Sequence, residues 1–233
     1  MKPQMNVKAI RYFQKGLRKV AKRDFNAAIT CFSKAIDAEP RMLDAYSFRG
    51  NSYLDLGQYE MALRDLDFVL KINPNNHVAL YNRSIAKMAL GQDYLALVDV
   101  DLAIQLSPAE AGYYLFRSIV HSQRKEYDIG LQDAAEAIRL GEIKSGHNNR
   151  AIIFEKKGDR ASAISEWTEV LAVEPSNATA LCRRGLLRVE TGDCSGATQD
   201  LKSALKHRQQ IPPSYSEKAD AVLQELAKKS NEK

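Results

Sequence analysis

The chain repeats itself. GQYEMALRDLDFVLKINPNN at 57–76 is answered by GQDYLALVDVDLAIQLSPAE at 91–110, 34 residues further on. Prolines at 40, 74, 108 and 175 keep that step, the last gap of 67 being one unit of 34 and one of 33. A period of this size constrains the fold more tightly than composition can. Each unit must be one supersecondary piece that buries its apolar face against its neighbours. The units fall at 9–42, 43–76, 77–110, 111–143, 144–177 and 178–211, with a tail at 1–8 and a closing segment at 212–233.

Counted from 1 within a unit, certain positions keep one kind of side chain. Position 8 is small throughout: Gly16, Gly50, Ser84, Ser118, Ala151 and Gly185. So is position 20: Ala28, Ala62, Ala96, Gly130, Ala163 and Ala197. Position 24 is bulky in Phe32, Leu66, Val100, Trp167 and Leu201, with Ala134 the exception. Tyr46, Gly50 and Tyr53 lie at i, i+4 and i+7, one face of a first helix, and Ala62, Leu66 and Val69 share a face of a second. Gly57 between them suits the left-handed residue that ends a helix. Gly91, Gly158 and Gly192 repeat it, while Lys125 stands there in the fourth unit. A glycine inside a helix costs about 1 kcal/mol relative to alanine, so Gly50 and Gly185 imply that two backbones approach closely. Proline then stops each second helix.

The pattern predicts an all-α array of antiparallel helix pairs. Local irregularity is expected over GEIKSGH, 141–147. Beyond QQIPP, the stripe Tyr215, Ala219, Val222, Leu223 and Leu226 predicts a closing helix. Ser214 and Glu217 offer a capping box at its start, and SNEK at its end is expected to fray.

These residues resemble the tetratricopeptide repeat family. In 43–76, Tyr46, Gly50, Tyr53, Gly57, Tyr59, Ala62, Leu66, Val69 and Pro74 all stand where the family has such residues. The likeness runs through six units, with Leu80, His147 and Leu181 replacing an aromatic and the fourth unit lacking its proline. The resemblance implies an α-solenoid, a right-handed superhelix whose first helices line a concave groove. The groove side chains would be Phe13, Leu17 and Val20, then Phe48 and Asn51, then Tyr81, Asn82 and Ile85. Leu115, Phe116 and Ile119, then Asn149 and Ile152, and finally Cys182 and Arg183 would continue it. So apolar a surface marks an interaction site. Its amides would bond the backbone of a peptide while apolar recesses take side chains. Some family members clamp the C-terminal carboxylates of chaperones. Asn51 and Asn82 match the asparagines of that clamp, but Ser47, Gly112 and Phe116 stand where it needs cations. A protein or peptide ligand with apolar side chains therefore fits better.

Function classes drop out for want of their residues. Hydrophobic residues make up 45% and charged residues 27%, and no apolar run is long enough to span a membrane. The N-terminus has charges where a secretion signal needs an apolar stretch. Cys31, Cys182 and Cys194 are too scattered for a disulfide framework or a metal site and suit free thiols in a cytoplasmic protein. No phosphate-binding glycine loop, zinc-binding histidine pair or nucleophile elbow occurs. The expectation is a scaffold or adaptor that is not an enzyme and has no cofactor.

Two charge patterns remain. Position 7 is basic in Lys15, Arg49, Arg83, Arg117, Arg150 and Arg184; position 23 is acidic in Asp65, Asp99, Asp133, Glu166 and Asp200, with Cys31 in the first unit. Pairs between units, such as Asp65–Arg83, Asp99–Arg117 and Glu166–Arg184, are expected to set their register. The first 24 residues hold eight cations against Asp24 alone, with Lys8, Arg11, Lys15, Arg18 and Lys22 on one helical face. That face suits an end cap, or contact with an acidic partner, RNA or an anionic lipid surface. Nucleic acid is disfavoured, because Tyr12 and Phe13 are its only nearby rings. Self-association is the other rival to peptide binding.

Overall fold

The computed structural model describes residues 6–231, with side chains through 228. The described residues divide into two compact parts, 6–113 and 114–231. The first part holds α1 (Val7–Ala21), α2 (Phe25–Ala38), α3 (Leu43–Asp55), α4 (Tyr59–Ile72), α5 (His77–Ala89) and α6 (Asp93–Leu106). The division falls within α7 (Ala111–Gln123). The second part continues with α8 (Tyr127–Arg139), α9 (Ile143–Lys157), α10 (Arg160–Val173), α11 (Ala178–Glu190) and α12 (Cys194–Leu205). A 3-10 turn, Arg208–Gln210, leads to α13 (Pro213–Asn231). No strand occurs among the described residues.

In the first part α1 packs on α2, α3 on α4 and α5 on α6, and these hairpins join through α2 on α3 and α4 on α5. In the second part α9 packs on α10 and α11 on α12, while α8 meets α9, α10 meets α11, and α13 lies on α11 and α12. The small residues at positions 8 and 20 make the hairpins tight. A Cβ added to Gly16 would sit 2.4 Å from the Phe32 ring, and one on Gly185 2.9 Å from Leu201. Ala28, Ala62, Ala96, Ala163 and Ala197 are fully buried, as are Phe32, Leu66, Val100 and Leu201 at the bulky position.

Helix ends follow local chemistry. Asp24, Asn76, Asp159, Asn177 and Asp193 each accept a bond from the backbone N–H three residues on, satisfying one of the helix's free donors. Each first helix is followed within two residues by a left-handed one, whatever its type. Gly57 has φ 70°, but Arg23 has φ 56° and Lys125 φ 63°. Hairpin geometry overrides residue preference there. Around 141–147 the chain stays regular: Gly141, at φ 104°, closes a short turn and α9 begins at Ile143. The capping box at Ser214 does not form. Proline is favoured as the first helical residue, so α13 starts at Pro213 and Ser214 already lies inside it. The helix continues to Asn231; of the tail expected at 1–8 and the fraying expected at the C-terminus, residues 1–5 and 232–233 lie outside the described residues.

The charge ladder exists, with different partners from those expected. Arg49 donates from Nε and Nη2 to Asp65 at 2.8 and 2.7 Å. Arg83 holds Asp99, Arg117 holds Asp133, and Arg184 holds Asp200 with the same two-pronged geometry. Each carboxylate lies sixteen residues ahead, in the arginine's own hairpin. The third nitrogen reaches back sixteen residues instead: Arg49 Nη1 to Ser33, Arg83 Nη1 to Asp67 and Arg184 Nη1 to Thr168. The expected register failed because of the small residue at position 8. Tight packing there sets a Cβ on Gly50 3.5 Å from Asp65 Cβ, which turns position 23 toward its own first helix and leaves position 25 facing the next.

Candidate functional site

Each part carries its own share of the expected groove side chains. In the first, Phe13 and Phe48 pack at 5.5 Å from each other and at 5.7 and 5.9 Å from the buried Phe32. They are half-buried, as is Leu17, so the ring cluster supports the surface as much as it forms it. Asn82 Nδ2 donates to Asn51 Oδ1 at 2.6 Å, tying α5 to α3. One of the four amide hydrogens and one of the two carbonyls of this pair are therefore engaged before any ligand arrives. Tyr81 stacks on Tyr113 at 4.7 Å, and His77 Nδ1 lies 2.8 Å from the Tyr113 hydroxyl. Burial pushes the Tyr113 phenol up to about 12 and raises Tyr81 as well, so both stay neutral hydrogen-bonding groups. Ile85 is half-buried beside them on α5.

The second part has the better-formed recess. Ser118, Ile119, Ser122, Asn148, Asn149, Ile152, Ile153 and Lys156 line a cavity of 280 Å³ between α7 and α9. Ile119 is 39% exposed at its mouth. Asn149 Nδ2 donates to the Leu115 carbonyl at 3.1 Å, and Lys156 Nζ to Ser122 Oγ at 3.0 Å. The Asn149 amide is thereby fixed, with its Oδ1 left to accept from a ligand. A second cavity of 200 Å³ shares Asn148 and Asn149 and adds Lys144, Ser145, Val170 and Asn177. The two asparagines thus form a polar ridge between neighbouring recesses.

Not every expected groove residue is on a surface. Phe116 is buried. Arg183 is built into the interior: its guanidinium lies between the rings of Trp167 at 5.3 Å and Tyr215 at 5.0 Å. It donates from Nη2 to the Tyr215 hydroxyl at 2.6 Å and pairs with Glu155 at 3.3 Å. Trp167 Nε1 donates to the same Glu155 at 2.6 Å. Burial raises the Glu155 carboxyl above its usual range, with Arg183 and the Trp167 bond pulling the other way. Cys182 is buried, its Sγ 3.6 Å from the Tyr215 carbonyl, and burial pushes its thiol up to about 11. Both residues lie under α13. Sequence spacing placed them by position, and the closing helix it predicted was not assigned to cover them.

Sequence reading also missed an uncovered face. On α6, Tyr94 is 69% exposed and Val98 50%, with Leu95, Leu102 and Leu106 exposed beside them. The signal was there in DYLALVDVDLAIQL, which is apolar nearly all round. No cluster of three or more metal-ligating side chains occurs among the described residues. No helix there is long and apolar enough to cross a membrane.

Helix pairs stacked through small residues, without strands, define a helical-repeat solenoid. Residues 43–76 and 148–223 both match tetratricopeptide repeat families. The fold agrees: a tetratricopeptide repeat protein from Parabacteroides merdae superposes with a TM-score of 0.72 over 95% of this chain and 93% of its own, at 18% identity. YrrB, a TPR protein with an unusual peptide-binding site, superposes with a TM-score of 0.60 over 74% and 90%, at 19% identity. DNJ1 of Cryptococcus neoformans, a tetratricopeptide repeat and J domain-containing co-chaperone, is 32% identical over 76 residues. That match spans 33% of this chain and 15% of DNJ1. The chain is a tetratricopeptide repeat protein.

Proposed function

We propose that this protein is a non-catalytic scaffold of the cytoplasm that holds a peptide segment of a partner along the first helices of its repeats. The six-repeat division read from the sequence, with a closing helix at 212–233, belongs to the same reading. The observation that carries it is the paired recess around Asn148 and Asn149. An extended peptide places alternate side chains in neighbouring pockets while its backbone bonds the ridge between them. Ile119 and Ile152 make the larger recess apolar, so it suits an aliphatic or aromatic side chain. Peptide binding on YrrB supports a ligand of this kind on this fold. The co-chaperone DNJ1 supports a role in protein interaction, although Ser47, Gly112 and Phe116 give this chain no cationic clamp for a C-terminal carboxylate.

Selection from a random peptide library with wild-type protein tests the reading. Selected peptides should lose binding to Ile119→Lys with Ile152→Lys while that variant keeps its helical melting curve. Peptides that bind both proteins equally would remove the site.

A second reading, self-association, is favoured by the uncovered face of α6. Five apolar side chains there make a patch of about the few-hundred-Å² size that marks interaction sites. Tyr94, Val98 and Leu102 follow one another along the helix, with Asp101 beside them on the same face. Light scattering over a dilution series should then show Val98→Lys monomeric at concentrations where wild type is not.

A further inference from the structure

The basic face of α1 has a counterpart inside the same molecule. Each of Arg49, Arg83 and Arg184 takes a partner sixteen residues ahead in its own hairpin and another sixteen behind on the preceding second helix. Lys15 stands at the same position of α1 with neither. Sixteen ahead is Cys31, a buried thiol, and no second helix precedes α1 among the described residues. Lys19 has turned to Asp24 at 2.9 Å. Lys8, Arg11, Lys15 and Arg18 are exposed and have no carboxylate partner among the described residues. Together with Tyr12 and Gln14, all on this one helix, they form an open basic face.

We propose that this face is a docking site for an acidic amphipathic helix of another protein, seated on α1 as α2 is seated on α3 and α4 on α5. Its carboxylates would take the place that Asp67 holds toward Arg83. Charge complementarity selects that chemistry: four unmatched cations lie in one row at the spacing of successive helical turns. Two other occupants fit less well. A nucleic-acid strand needs stacking platforms, and the one ring here, Tyr12, already has Lys34 Nζ 5.9 Å from its centroid. A second copy stacked end to end would present Lys202, the residue equivalent to Asp67 in the last repeat, to Lys15. In addition α13 lies on α12 there.

The test uses the full chain and a fluorescent 18-residue probe, about five helical turns long, with a leucine stripe flanked by glutamates. Comparators are its Glu→Gln form, an oligoglutamate coil of equal charge, a single-stranded oligouridylate and phosphatidylserine vesicles. The acidic helix should bind, and Lys15→Glu with Arg18→Glu should weaken it about tenfold or more without moving the melting temperature. The same double variant should gain affinity for a lysine-bearing version of the probe. Ile119→Lys with Ile152→Lys should bind the probe like wild type, which separates this site from the peptide recess. Failure of the acidic helix to bind overturns the proposal. So does tighter binding of the coil, the oligonucleotide or the vesicles, or a double variant that binds the probe like wild type.

Discussion

In the last hairpin Arg184 and Arg188 both hold Asp200, whose side chain is 4% exposed, and α13 lies over Cys182 and Arg183. In the first hairpin Lys15 and Lys19 occupy the same two positions, Cys31 replaces the acid, and the outer face of α1 stays bare among the described residues. The helices of the two hairpins are equally regular and their small residues equally buried: Ala28 and Ala197 are both at 0%. The difference teaches that the repeat pattern decides how a hairpin closes on itself, while the charges decide what it accepts beside it. A hairpin with its acid is electrically finished; one without it is left needing a neighbour.

The comparison breaks most visibly at the covered end. Ala219→Asp places a carboxylate at a site of zero exposure on the packed face of α13 and should cost about 3–5 kcal/mol, the price of an uncompensated buried charge. Denaturant melts measure the loss. Thiol labelling should show the cause, because Cys194 is exposed and reacts at once, whereas Cys182 should react only when α13 lifts. Rapid labelling of Cys182 in wild type would mean that α13 is no cover.

A smaller effect is expected on the ladder itself. Arg184→Ala leaves Asp200 with Arg188 and should cost about 1–3 kcal/mol. Lys15→Ala should stay within about 0.5 kcal/mol, as for any exposed side chain without partners. Equal losses at the two positions would erase the distinction between finished and unfinished hairpins. In the turns, Arg23→Gly should gain about 1 kcal/mol by relieving a left-handed arginine, and Gly192→Ala should lose about as much.

The least effect concerns pH. Glu155 has its folded-state pKa raised by burial, so its neutral form is favoured in the fold. Its contribution is most favourable below the ordinary value of 4.5 and declines as pH rises from there through the raised folded value. Glu155→Gln should flatten that part of the stability profile, and Trp167 can still donate to the amide oxygen. An unchanged profile would assign the slope to other groups.

Much of this was legible in the sequence because its causes are local or periodic. Small residues at positions 8 and 20 announced close helices, and Gly57 announced a left-handed turn. The ladder's residue types were legible too, but its pairing was not. Whether position 23 or 25 faces the next repeat depends on a rotation of the second helix that only packing against Gly50 and its equivalents decides. The same limit applies to the site. Ile119, Asn149 and Ile152 could be placed by position, and they do share one recess. Arg183 could not, because what buries it is Tyr215, a residue outside the period. Tyr94 and Val98 went unread because an apolar run looks alike in a core helix and on a bare one.

The two-way reach of the ladder arginines also dictates how such a chain can change length. A turn altered by one residue shifts which side chain meets the backward grip. Arg117 to Arg150 is 33 residues rather than 34, and both Ala134, sixteen before Arg150, and Ala135, at position 25 of that unit, lack a group to grip. Arg150 keeps its ion pair with Glu166, although its buried Nε, the atom that meets the forward carboxylate in Arg49, Arg83, Arg117 and Arg184, has no partner. Growth by whole-module duplication leaves every grip intact, whereas a single-codon deletion costs one.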